Sequence, residues 1–336
     1  MQDAATLLRK AWLSRNLITR LLWPLTLVSR AWLLLSSLRD RLGWRPATPL
    51  PIPVWVVGNV LVGGTGKTPI VIHLATHLQS LGFKTGVIAR AVGCEDQSTQ
   101  EVRIDSTASQ VGDEALLIKH RTLSPVFVGR ARALAAQALL QAYPETQLII
   151  SDDGLQHHAL HHDLALVVFD DRGLGNGWLL PAGPLREAWP RKTRGAVQFL
   201  VHTGKHPFEN SFPADRQLSP HAVNGLGQTR PLSAWAGKPV QALAAIAQPE
   251  VFFAALRAHG LTLVATHALP DHAPLDDWTS VPGEDLLCTE KDAVKLWPHH
   301  PQAWAVPLEC RLPDVLWAQL VQNLQALSSP HGQKIA

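Results

Sequence analysis

The 336-residue sequence predicts an α/β protein of two units, with a basic leading segment. Three observations carry that prediction. Short apolar runs without alternation, the mark of strands buried on both faces, recur between segments of helical period. One of these runs passes directly into a glycine-rich turn and then into a helical pattern. The length suits two domains, and 46% hydrophobic against 17% charged residues suits a large core. The expected division is a basic amphipathic segment over 1–48, a parallel-sheet domain over 49–225 and a smaller α/β domain over 226–336.

The glycine-rich turn organises the chain. Val54-Trp-Val-Val-Gly-Asn-Val-Leu-Val-Gly-Gly-Thr-Gly-Lys-Thr-Pro69 runs from strand through loop to helix. Gly63, Gly64 and Gly66 lack a Cβ, so backbone amides can curl around an anion, and the helix that follows adds its dipole. The order is that of a P-loop, and the fold expected is a P-loop NTPase-like parallel sheet. Leu61, Val62, Gly63, Gly64, Thr65, Gly66, Lys67 and Thr68 are the expected nucleotide contacts. Lys67 is placed to reach the β/γ-phosphates and Thr68 to hold Mg²⁺. Leu61 stands where the strict pattern has its first glycine. A tight turn between any strand and helix would look similar locally.

Residues 1–50 hold eight Lys/Arg and two acids, interleaved with Leu and with Trp12, Trp23 and Trp32. The longest charge-free run, Leu21 to Ser29, is nine residues, against about 20 for a span. No small-residue cleavage site follows it. The composition fits helices lying in a membrane interface, with an ordinary amphipathic helix packed on the domain as the alternative. A net charge of +3 is too small to imply nucleic acid. Cys94, Cys288 and Cys310 are far apart, as expected of reduced thiols in a cytosolic setting.

Along the first domain, 52–57, 85–89, 147–150, 164–169 and 197–201 read as strands. Residues 68–81 and 130–143 read as helices, the first stopped by Gly82. The strand at 147–150 delivers Asp152 and Asp153 to its carboxyl end, where α/β sheets bind ligands and P-loop enzymes keep a second Mg²⁺ contact. Asp113 and Glu114 precede an apolar helix, and either acid fits an N-cap. His157, His158, His161 and His162 have i,i+4 spacing but lack the Cys or Glu of a zinc site, so they read as polar surface. Residues 179–187 read as a shaped loop beside the phosphate site, and 203–232 as a linker. In the second domain, 240–246, 261–265, 285–288 and 303–308 read as strands, and 249–259 and 313–327 as helices.

Six motifs in order give a resemblance. These are Gly58-Asn59 with Val62-Gly-Gly-Thr-Gly-Lys-Thr-Pro69, Gly112-Asp-Glu114, Asp152-Asp-Gly-Leu-Gln-His157, Gly175-Asn-Gly177 with Leu180-Pro-Ala-Gly-Pro-Leu-Arg-Glu187, Pro270-Asp-His272 and Thr289-Glu-Lys-Asp-Ala-Val294. Together they resemble the tetraacyldisaccharide 4'-kinase family over residues 10 to about 310. The resemblance implies ATP-dependent phosphorylation of the 4'-hydroxyl of a tetraacylated glucosamine disaccharide 1-phosphate, giving lipid IVA. It implies attachment to the cytoplasmic face of a Gram-negative inner membrane. It also implies that Asp113 is a catalytic base paired with His272, and that Glu187 stands near the metal held by Thr68, Asp152 and Asp153. The family usually has Arg-Gly-Tyr-Gly where this chain has Arg90-Ala-Val-Gly93, and Thr at position 61. Partition-type ATPases carry a second lysine just before the paired glycines, where this chain has Val62. A membrane-bound nucleotide sensor without transfer activity is a further alternative.

Overall fold

The computed structural model describes residues 4–41, 49–91, 94, 97–157, 159–191, 195–279 and 283–328. His158, Val92 and Gly93, and the ends of the leading segment, lie outside the described residues.

The larger sheet has eight strands in the order Gln100–Glu101, Val126–Val128, Thr85–Ala89, Leu148–Asp152, Val54–Gly58, Leu164–Phe169, Val197–His202 and Phe212–Pro213. The first pair is antiparallel and every other neighbour is parallel. The four central strands, Thr85–Ala89, Leu148–Asp152, Val54–Gly58 and Leu164–Phe169, are buried along their whole length. That burial explains their unbroken apolar sequence. On Val54–Gly58, Trp55 and Val57 pack with Ile70, Val71, Leu74 and Leu78 of the helix Lys67–Ser80. Val54 and Val56 face the other layer, with Leu155 and with Ala135 and Leu139 of the helix Arg132–Ala142.

Val54–Gly58 lies between Leu148–Asp152 and Leu164–Phe169, and Val57 pairs with Asp152. The strand order reverses there, so the loop after Gly58 and the carboxylates after Ile150 meet at one sheet edge.

The smaller sheet runs Thr229–Pro231, His221–Asn224, Trp304–Val306, Asp285–Thr289, Pro239–Ala244 and Thr262–Ala268. Its core holds Trp235, Phe252, Phe253, Leu256 and Trp304. A two-stranded ribbon, Asp215–Leu218 with Leu308–Arg311, joins the two sheets. The expected linker at 203–232 therefore carries four short strands, Phe212–Pro213, Asp215–Leu218, His221–Asn224 and Thr229–Pro231. Its polar sequence reflects half-exposed edges, as in the exposed, exposed, exposed, buried pattern of Asp215–Leu218. The expected strand at 303–308 divides at Pro307, and its second half enters the ribbon.

The final helix, Asp314–Ser328, returns to the larger sheet. Leu316, Trp317, Leu320 and Leu324 join the core of the P-loop helix, and Trp317 stacks on His77 with ring centroids 3.9 Å apart.

Candidate active site

The P-loop is held open from outside. The Val62 amide donates to Pro184 O at 2.9 Å, and Leu61 is fully buried in an antiparallel bridge with Leu185. Arg172 pairs with Asp170 and donates to the carbonyls of Val62 and Gly64 at 3.0 and 3.2 Å. Leu61 and Val62 thus brace the loop rather than line it, which explains why leucine fits where the strict motif has glycine. Among the described residues no group accepts from the amides of Gly63, Gly64, Thr65 or Gly66, so these four are left to bind an anion. Gly66 has φ of +79°, a backbone region that strains any side chain, and a Cβ there would lie 2.5 Å from the Arg216 guanidinium and push it aside.

Lys67 Nζ lies 3.4 Å from Asn59 Oδ1 and 3.5 Å from Asp153 Oδ1. Asp153 also accepts from Arg186 at 3.0 and 3.1 Å. Burial pushes its carboxyl up, but Lys67 and Arg186 outweigh that and hold its pKa below the ordinary range.

Asp152 is different. Its Oδ2 stands 3.5 Å from Thr68 Oγ1, at the outer limit of a hydrogen bond, and its buried Oδ1 has no partner among the described residues. Burial, reinforced by the charge of Glu114, pushes its pKa up to about 7. A desolvated carboxylate oxygen with no donor, beside a threonine hydroxyl, fits a hard cation with oxygen ligands. Among the described residues no three His, Cys, Asp or Glu side chains gather to hold a metal alone, which suits an ion shared with phosphates. Glu187 stands apart from this pair in its own contacts. It accepts from Gln156 Nε2 at 2.8 Å and pairs with Arg191 at 3.4 Å, and Gln156 in turn donates to Asn59 O.

The second cluster draws on both sheets. Asp113 opens the helix Asp113–Thr122, which packs against the P-loop helix. His272 sits in the loop after Thr262–Ala268, and its Nδ1 lies 2.9 and 3.1 Å from the two Asp113 oxygens. Burial pushes Asp113 up, but the hydrogen bond from His272 and the charges of Lys291 and Lys295 bring its pKa below the ordinary value. Among the described residues the one backbone amide that Asp113 accepts from is that of adjacent Glu114, at 2.8 Å to the Oδ1 that also meets His272.

A carboxylate joined to an imidazole stands beyond a P-loop here, in a chain whose first segment is apolar and basic. A model of the tetraacyldisaccharide-1-P 4'-kinase family matches residues 18–325. The chain belongs to the tetraacyldisaccharide 4'-kinase family. A relative of that name from Acidovorax sp. (strain JS42) is 48% identical over 326 residues, covering 96% of this chain and 95% of its own. Another from Polaromonas naphthalenivorans (strain CJ2) is 45% identical over 337 residues, covering 97% and 98%. The crystal structure of LpxK from Aquifex aeolicus in complex with ATP superposes with a TM-score of 0.80 at 25% identity, over 92% of this chain and 99% of that one.

Seen as a member of the tetraacyldisaccharide 4'-kinase family, the chain ties its leading segment to the site. Helices Leu17–Leu22 and Thr26–Arg41, with the 3₁₀ turn Trp23–Leu25 between them, expose Leu17, Ile18, Leu21, Trp23, Val28 and Trp32, and the helix Ala4–Ala11 precedes them. The stretch Leu17–Ser36 is long and apolar enough, by length and composition, to cross a membrane, and 11% of it is buried. The charge-free run alone does not reach that length; the helices continue past Arg20 and Arg30. Trp12 is not part of the exposed face. It is buried, with Nε1 donating to Pro181 O at 2.9 Å, while Arg15 donates to Asn176 O. Both contacts fall on the 175–187 loop that braces the P-loop.

Sequence reasoning gave no role to Asn59, Gln156, Arg172, Arg186 or Lys291. Four of these lie inside the quoted motifs, and their position there was the available signal. Arg172 lies outside them and had none.

Proposed function

We propose that this chain transfers the γ-phosphate of ATP to the 4'-hydroxyl of tetraacyldisaccharide 1-phosphate, forming lipid IVA. It is an ATP-dependent kinase of lipid A biosynthesis. The observation that supports the mechanism below is the meeting of Asp113 and His272 from the two units, with Asp113 on a helix packed against the P-loop helix.

Phosphoryl transfer needs position and charge neutralisation more than covalent chemistry. The amides of 63–66 and Lys67 hold the β- and γ-phosphates in line with the acceptor. Asp113 takes the proton of the 4'-hydroxyl as its oxygen bonds to the γ-phosphorus, and ADP leaves with the bridging oxygen. His272 orients Asp113. Thr68 and Asp152 would hold Mg²⁺, with Asp153 and Glu187 as the further carboxylates assigned to it, and the ion would supply charge neutralisation on the phosphates. The working units are a membrane segment over 1–48, a kinase unit over 49–225 and a smaller unit over 226–336, with helix Asp314–Ser328 cored against the kinase unit. The leading helices attach the enzyme to the cytoplasmic face of the inner membrane, where the lipid acceptor resides. No nucleic acid is involved.

Incubation with γ-labelled ATP and the tetraacylated disaccharide 1-phosphate in mixed micelles tests this. Label is expected in the lipid fraction as a 4'-monoester. Release of inorganic phosphate alone, with no labelled lipid, would overturn the assignment.

A further inference from the structure

His272 has φ of +62°, a backbone region that disfavours residues with a side chain. Its amide is tied to Ala245 O at 3.2 Å. The ring is held on both edges. Nδ1 meets Asp113, and Nε2 lies 3.1 Å from Lys291 Nζ. Lys291 comes from the helix Glu290–Leu296 of the smaller sheet, and its Nζ also stands 3.3 Å from Asp271, 3.4 Å from Glu114 and 4.0 Å from Asp113. Lys295, one turn on, stands 3.9 Å from the same Asp113 oxygen, pairs with Asp292 at 3.1 Å and donates to Ala273 O. The charged groups around the ring are therefore Asp113 and Glu114 from one helix, Asp271 from its own loop, and Lys291 and Lys295 from the other helix.

An ammonium has three donors and no acceptor. Nε2 of His272 can meet it only through its lone pair, which places the ring proton on Nδ1, aimed at Asp113. We propose that Lys291 is a positioning residue whose ammonium holds His272 as the neutral Nδ1–H tautomer, so that the ring donates to Asp113 and leaves that carboxylate ionised to receive the acceptor's proton. The proposal rests on Asp113 being the base.

Two opposing influences act on the ring. The hydrogen bond with Asp113 and the charges of Asp113 and Asp271 together raise the His272 pKa above its ordinary value, against burial and Lys291, which lower it. Lys291 itself stays charged, because Glu114, Asp113 and Asp271 outweigh its burial and raise its pKa. A second ring proton would set Nε2–H against that ammonium, donor to donor. Because Glu290, next in the chain, is clamped by Arg121 at 2.6 and 2.7 Å, the docking of the two helices fixes the lysine. The base is thus completed by the smaller unit.

Long-range ¹H–¹⁵N spectra of the imidazoles in the full-length protein test this, with His272 assigned by its loss in His272→Ala. Wild type is expected to show the Nδ1–H tautomer as the neutral ring form, read above the ring's midpoint. In Lys291→Met the ring midpoint is expected to rise by on the order of one pH unit, as loss of an adjacent cation requires. The acid limb of kcat should move with it, with the KM for ATP unchanged, and Lys291→Arg should restore both. An Nε2–H ring in wild type needs no variant to overturn the proposal, and an unmoved midpoint in Lys291→Met also overturns it. Both readouts are independent of whether Asp113 is the base. A normal kcat in Asp113→Asn removes that reading separately.

Discussion

The nucleotide end and the proton end of the site are built in opposite ways. The first is local: residues 61–68 form one loop, and Asp152 reaches it by strand pairing with Val57. The second is distributed: Asp113 and His272 are 159 residues apart and belong to different units. A local device tolerates motion between the units, whereas a distributed one exists only when they are docked. In the proposed mechanism a kinase gains from that difference, because the base is completed only when the two units are docked.

The largest expected effect lies at the local end. Lys67→Ala should lower transfer by on the order of 10³-fold, the scale for losing a group that meets developing charge, while leaving the melting temperature nearly unchanged. Substantial transfer with normal ATP affinity would remove Lys67 from the phosphate site. At the distributed end, Asp113→Asn should lower kcat by on the order of 10²–10⁴-fold with ATP binding kept. Loss of ATP binding instead would place Asp113 with the nucleotide and erase the contrast between the two ends.

Asp152→Asn should raise the Mg²⁺ needed for half-maximal rate by on the order of tenfold, as the unpartnered oxygen implies. An unchanged Mg²⁺ curve would move the ion elsewhere. The smallest effect is on stability. Burial, then the charges of His77 and Arg311, lower the His73 pKa from 6.5 to about 4. The unfolded chain therefore binds a proton that the fold refuses, so stability is intact above about pH 6.5 and falls as pH drops toward 4. The melting temperature should decline over that window, and less steeply in His73→Gln. Equal slopes in the two proteins would contradict the assignment.

This contrast also governs how much could be read from the sequence. The P-loop, the two carboxylates and the buried strands were legible, because each is a contiguous pattern with one physical meaning. Val126–Val128, three residues long, carries too little pattern to be seen. The strands between 212 and 231 were hidden by their polarity, since an exposed ribbon resembles a linker in composition. Trp12 looked like its exposed neighbours Trp23 and Trp32, and only its packing on the 175–187 loop separates them. At the site, Lys291 lies inside a quoted motif, but its partner could not be read there, since any solvated lysine on a short helix has the same local pattern. Its meaning comes from facing His272 across a fold that no local period records.

The contact between Asp113 and His272 is the centre of this account, and a double-mutant cycle on kcat tests it most directly. If the two act as one unit, Asp113→Asn with His272→Ala should be little worse than the worse single variant. Losses that multiply in full would show two groups acting separately and would contradict the account.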